Sequence, residues 1–197
     1  GGRAVEPLPD DDDLPLPDPG EDIVPLMRLV AILAWGLLAA AALGLLALRY
    51  RGLPCPVVSV GSTPTATFAE SFAGVSEVRT GVYMFHDLVM AGLGVCAVDD
   101  IAISVLASVI GHQREKEWVL VDAGWMAMSR DRGTSAQPVD QGYGLVCSVG
   151  GQPMNDYILV GANQEHGIMA RRPGAAGELL ELQVGQQVRI LPNHACS

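Results

Sequence analysis

The chain has 197 residues, with 12 Lys and Arg against 22 Asp and Glu, and a formal charge of −10 at pH 7. At 49% apolar and 17% charged it is too apolar for a disordered chain and long enough for one domain or one and a half. The acidic balance argues against nucleic acid as a partner, because phosphate binding needs a cationic footprint. Four cysteines (Cys55, Cys96, Cys147 and Cys196) lie far apart with no C-x-x-C, which predicts a reduced, cytoplasmic compartment and no disulfide framework.

Residues 1–25 read as a solvated tail: Asp10 to Asp13 form a carboxylate run, and prolines recur at 7, 9, 15, 17, 19 and 25. Residues 29–48 are twenty positions without a polar side chain, flanked by Arg28 and by Arg49, Tyr50 and Arg51. As a helix they rise about 30 Å, the thickness of a bilayer core. The stretch is not amphipathic, so it either spans a membrane or is buried in a larger protein. From Gly52 onward short β-branched runs predict strands at Val57–Val60, Val78–Phe85, Ile101–Ile110, Trp118–Asp122, Tyr157–Gly161 and Gln187–Leu191. Ile101 to Val105 is apolar on both faces and predicts a central strand. No long helical period follows Tyr50. The fold class is mainly β (α+β), an antiparallel sheet or small barrel.

Three groups of residues could carry chemistry. Gly61-Ser62-Thr63-Pro64-Thr65 follows a strand; its backbone N–H groups and hydroxyls could hold a phosphate without a cation, or could simply make a turn. His194 and Cys196 lie two apart, so in an extended segment both point the same way and could grip one Zn²⁺; a structural cysteine beside a satisfied histidine is the plainer reading. Glu165-His166-Gly167 offers acid–base chemistry near neutral pH, or is a polar strand end. Arg79 could hold an anion or a ring nitrogen, or sit as a rim charge.

Taken in order, several stretches resemble the D-serine dehydratase / D-threonine aldolase family of alanine racemase-like enzymes. They are Val58 to Thr65, Glu77 to Asp87, Val121 to Gly124, Met128 to Asp131, Gly142 to Gly144, Glu165 to Gly167 and Pro192 to Cys196. The resemblance runs from about Gly52 to Cys196. It implies that the chain is the C-terminal part of a lyase that uses pyridoxal phosphate and zinc and acts on small D-β-hydroxy amino acids, with dehydration of D-serine as the activity. The alternatives are retro-aldol cleavage of D-threonine, or a non-catalytic membrane-anchored β module.

The same resemblance implies an order of parts. After the tail (1–25) come an apolar helix (26–51), an end-of-barrel strand with its phosphate loop (52–70), and a C-terminal antiparallel β domain (71–197). Gly61, Ser62 and Thr63 would hold the cofactor phosphate, with Gly81 and Val82 as a second contribution. Arg79 would face the pyridine nitrogen. His194 and Cys196 would be the metal pair, and the thiolate tilts the chain toward the dehydratase branch. The Schiff-base lysine is absent: the only lysine is Lys116, in the polar turn His112 to Glu117. The chain is therefore expected to be a fragment or a degenerate product, inactive alone, from a family that forms homodimers.

Overall fold

A computed structural model describes residues 32, 36, 37, 39–176 and 180–195. The acidic tail, most of 29–38 and Cys196 lie outside the described residues. Residues 39–50 form helix α1, which ends at Gly52, a glycine with φ 71°. Residues 32, 36 and 37 are helical as well, and among the described residues no helix is long and apolar enough to cross a membrane. The expected span over 29–48 lies largely outside the described residues and finds no support among them.

Strands β1 (Ser59–Gly61) and β2 (Glu77–Arg79) pair in parallel, Ser59 opposite Glu77 and Gly61 opposite Arg79. Helix α2 (Thr63–Phe68) makes the crossover between them. This is a β–α–β unit, as the remnant of a (β/α) barrel end would be. The strand predicted at Val78–Phe85 stops early, because Val82–Met84 turn into a 3-10 helix whose Tyr83 N–H donates to Thr63 Oγ1 at 3.2 Å. Asp87 then caps helix α3 (Leu88–Gly92). The central strand expected from Ile101 also fails at its start. Ala102 N–H donates to Phe85 O at 2.8 Å and Ile101 N–H to Val98 O at 3.2 Å, so these amides serve a turn and the strand begins only at Val105.

Six strands then close a barrel: β3 (Val105–Gln113), β4 (Trp118–Val121), β5 (Gly144–Cys147), β6 (Pro153–Ala162), β7 (Gly167–Arg171) and β8 (Gln187–Pro192). Their order round the wall is β3-β4-β7-β6-β5-β8, each neighbouring pair antiparallel. Register shifts at Val109/Gly111, Leu145/Cys147 and Leu159/Gly161 supply the local bends that let so few strands close. Val109, Val121, Val146, Leu159, Met169 and Ile190 fill the interior, each contributing roughly 1.5–3 kcal/mol of burial.

A second cluster lies on the outer face, where Leu88 of α3 packs with Leu145, Cys147, Ile158 and Leu191. Strand β5 is thus buried on both faces, and α3 is fastened to the wall formed by β5, β6 and β8. Short helix α4 (Trp125–Met128) follows β4. Gly124, just before it, approaches the β6–β7 turn so closely that a Cβ would lie 2.3 Å from Asn163 O.

Leu159 is fully buried and Leu106 half exposed. Leu159→Ala is expected to lower unfolding free energy by about 2–5 kcal/mol in urea, and Leu106→Ala by less than about 1 kcal/mol. Equal losses would contradict the inward placement of Leu159.

Candidate functional site

The first group of expected site residues gathers at the C-terminal ends of β1 and β2. Ser62 N–H donates to Arg79 O at 3.0 Å, so the loop after β1 leans on the end of β2. Ser62 has φ 116° and ψ 150°, a region that glycine favours and that costs other residues of order 1–3 kcal/mol. Its hydroxyl offsets part of that cost, accepting from Thr65 N–H at 3.2 Å and bonding to Thr65 Oγ1 at 2.8 Å. Pro64, in the first turn of α2, needs no donor there.

The bond from Tyr83 N–H to Thr63 Oγ1 brings Gly81 and Val82 beside Ser62 and Thr63. The N–H groups of Gly81 and Val82 make no hydrogen bond among the described residues. Unpaired amides, two hydroxyls and a glycine side by side are a donor set suited to an anion. Arg79 stands apart from them. Its side chain is 71% exposed and its Nε lies 3.5 Å from Glu77 Oε1, one place back on the same face of β2.

The second group centres on His194. The segment after β8 folds onto α3 through main-chain and carboxylate bonds: Val89 N–H donates to Asn193 O at 3.3 Å, and Ala195 N–H to Asp87 Oδ2 at 3.0 Å. The other oxygen of Asp87, Oδ1, accepts from Met90 N–H at 2.8 Å and caps the helix. His194 Nδ1 lies 3.6 Å from Asp87 Oδ2, and its ring is 31% exposed against 0% for the carboxylate. The expected partner thiolate, Cys196, lies outside the described residues. Among them, no three His, Cys, Asp or Glu side chains gather as a metal cluster.

Asn193 makes the segment rigid. Fully buried, it donates from Nδ2 to Thr134 Oγ1 at 2.8 Å and to Gly142 O at 2.7 Å, and accepts from Thr134 N–H at 3.2 Å. Gly142 has φ 59°, and a Cβ there would lie 2.3 Å from Leu159 O, so only glycine fits. Asp140 Oδ1 accepts from Gly142 N–H at 2.8 Å, and its Oδ2 pairs with Arg132 at 2.5 Å. Thr134 and Asn193 are therefore partners 59 positions apart, a pairing with no signature in sequence. Asp87 did have one: an Asp directly before the apolar run Leu88-Val89-Met90 is an N-cap pattern.

Glu165-His166-Gly167 sits in the β6–β7 turn. There His166 Nε2 bonds to Asn163 Nδ2 at 3.0 Å, and no described contact joins it to His194. Lys116 lies over the Trp118 ring, 4.6 Å from its centroid, in the β3–β4 turn. Cys96 lies nine positions after Asp87. Burial first, then the charges of Asp100 and Asp87, push it up to about 11 from 9.0. It carries about a hundredfold less thiolate near neutral pH, which rules it out as a ready nucleophile. Iodoacetamide is expected to modify Cys96 at least about tenfold more slowly than free cysteine at pH 7.5, since nucleophilicity recovers part of the loss. The rate should climb with pH toward 11, as mass spectrometry of the 96-containing peptide would record; a rate equal to free cysteine would contradict the burial.

Residues 102–197 match the family described as "Putative serine dehydratase domain". D-threo-3-hydroxyaspartate dehydratase of Delftia sp. (strain HT23) is 62% identical over 153 residues, 77% of this chain and 40% of the relative. D-serine dehydratase of Dictyostelium discoideum is 32% identical over 158 residues, 76% of this chain and 38% of the relative. The chain thus spans about 40% of the length of the curated relatives it matches.

The solved D-threo-3-hydroxyaspartate dehydratase from Delftia sp. HT23 superposes with a TM-score of 0.77 and 56% identity, over 86% of this chain and 45% of that one. A histidine-to-alanine mutant of that enzyme and a cysteine-to-alanine mutant, the latter in a metal-free form, superpose at 0.79 and 0.72; the altered positions lie two residues apart. The chain belongs to the D-serine dehydratase family of alanine racemase-like enzymes, of which it carries the C-terminal β domain.

Proposed function

We propose that this chain is the metal-bearing β domain of a lyase that removes water, and then ammonia, from a D-3-hydroxy amino acid. The observation that carries the reading is His194: a half-buried imidazole backed by a buried carboxylate, in a segment anchored at Asn193, two residues before Cys196. An imidazole nitrogen with a thiolate is a donor set suited to zinc. The metal-free cysteine mutant of the Delftia enzyme, altered two residues after the position of its histidine mutant, matches the His194–Cys196 spacing and supports the pair as ligands.

At the other end of the site, Ser62, Thr63, Gly81 and Val82 present hydroxyls and unpaired amides that fit the phosphate of pyridoxal phosphate. Gly61 fits the role of leaving room, since a Cβ there would press on Arg79 O at 3.2 Å. When bound, the two groups would supply an electron sink for the α-carbon and a Lewis acid for the β-hydroxyl. The part of this chain is to orient. The anion loop would fix the phosphate by hydrogen bonds alone. His194 and Cys196 would hold the ion where a substrate hydroxyl can reach it, and a leaving hydroxide would depart as water with the α-proton.

Dehydration is preferred to retro-aldol cleavage because the chain is 62% identical to a protein named for dehydration of D-threo-3-hydroxyaspartate. That substrate stands before D-serine here, since the D-serine dehydratase of Dictyostelium discoideum is 32% identical. The test is a chimera in which residues 52–197 replace the matching portion of the Delftia enzyme. It is expected to release ammonia and oxaloacetate from D-threo-3-hydroxyaspartate, and ammonia and pyruvate from D-serine more slowly. His194→Ala should lower turnover by more than about 100-fold, beyond the loss of an outer-shell partner. A folded chimera that binds zinc and pyridoxal phosphate yet releases no ammonia would refute the proposal.

A further inference from the structure

The geometry points to Asp87 as the positioning residue of the metal site: its buried carboxylate sets both the turn that carries His194 and the edge of the imidazole that faces inward. This rests on the reading that His194 holds a divalent ion. The reasoning begins with cost. A carboxylate with no exposed surface is unfavourable unless its oxygens are engaged, and a helix cap alone does not need one, since Asn or Ser caps as well.

Here the two oxygens are divided between two tasks. Oδ1 accepts from Met90 N–H at 2.8 Å and serves the helix. Oδ2 accepts from Ala195 N–H at 3.0 Å, and the same atom lies 3.6 Å from His194 Nδ1. One oxygen thus holds the main chain just after His194 and also faces the ring. Nδ1 faces the carboxylate at ion-pair range, a little beyond hydrogen-bond distance, so the atom offered to an ion would be Nε2 on the opposite edge. A carboxylate behind a ligating imidazole fixes its tautomer and raises its basicity, and losing such a partner typically costs 10–100-fold in metal affinity.

Position adds a second consequence. Asp87 follows the 3-10 turn Val82–Met84 that rests on Thr63, and His86 N–H donates to Val82 O at 2.7 Å. The same short stretch therefore joins the loop after β1 to the turn that carries His194.

The test uses the full chain and Zn²⁺ alone, with affinity read by competition against a chromophoric chelator. Asp87→Asn keeps an oxygen for Met90 N–H, and so the cap, but removes both the charge and the acceptor for Ala195 N–H. Its Kd for Zn²⁺ is expected to rise about 10- to 100-fold. A measurement on the unmutated chain guards against misfolding of the variant: nitrogen-15 NMR of the zinc-loaded protein should show His194 bound through Nε2 with a proton on Nδ1. An unchanged Kd in a folded Asp87→Asn variant, or coordination through Nδ1, would overturn the role of Asp87 while leaving the metal site standing. If the unmutated chain binds no Zn²⁺, or His194→Ala binds it equally well, the metal reading itself fails and this inference falls with it.

Discussion

A buried carboxylate joins two segments 108 positions apart, and the candidate site depends on that bond. Without the contact from Ala195 to Asp87, the residues after β8 would keep only the bond from Val89 N–H to Asn193 O as their main-chain tie to helix α3. Closing so long a loop is entropically unfavourable, though the cost grows only slowly with length. It is offset by the barrel, which brings β8 beside β3 and β5 before the last residues have to find their place. Asn193 then locks the approach from the other side through Thr134 and Gly142. The segment that carries His194 is clamped on both flanks, so its backbone needs little reorganisation to present that side chain.

The division of labour follows from physical chemistry. The interior of the β barrel is apolar and carries no chemistry. Its strands act as a rigid frame, and the polar groups that matter sit on the turns at its edge and on the β1–α2–β2 unit. The loop after β1 presents hydroxyls, and unpaired amides from Gly81 and Val82 stand beside it, so an anion would be held there by hydrogen bonds. Helix α3 is the joint between the two regions, with Leu88 buried against β5 and β8 and Asp87 at its cap.

Sequence reasoning went furthest where periodicity and burial agree. Strands at Trp118–Val121 and Gln187–Pro192 fall within a residue of the runs that predict them, because buried β-branched residues there (Val119 and Val121, Val188 and Ile190) occupy every second position. It went astray where backbone amides find other partners, as at Ile101 to Ser104, whose turn no hydrophobic pattern can announce. Strands β5 and β7 lay behind glycines: Gly144 and Gly167 start them, and both glycines mark close backbone approach, at Leu191 O and Ala123 O. At the site, motif order pointed to Gly61, Ser62, Thr63 and His194. The carboxylate behind the histidine is a long-range contact, visible in sequence only as a helix cap.

The account turns on a nitrogen and a sulfur from positions 194 and 196 holding one ion. X-ray absorption at the zinc edge of the zinc-loaded chain reads that shell directly. The account predicts one sulfur at about 2.3 Å together with nitrogen at about 2.0–2.1 Å. A shell of nitrogen and oxygen with no sulfur would contradict it.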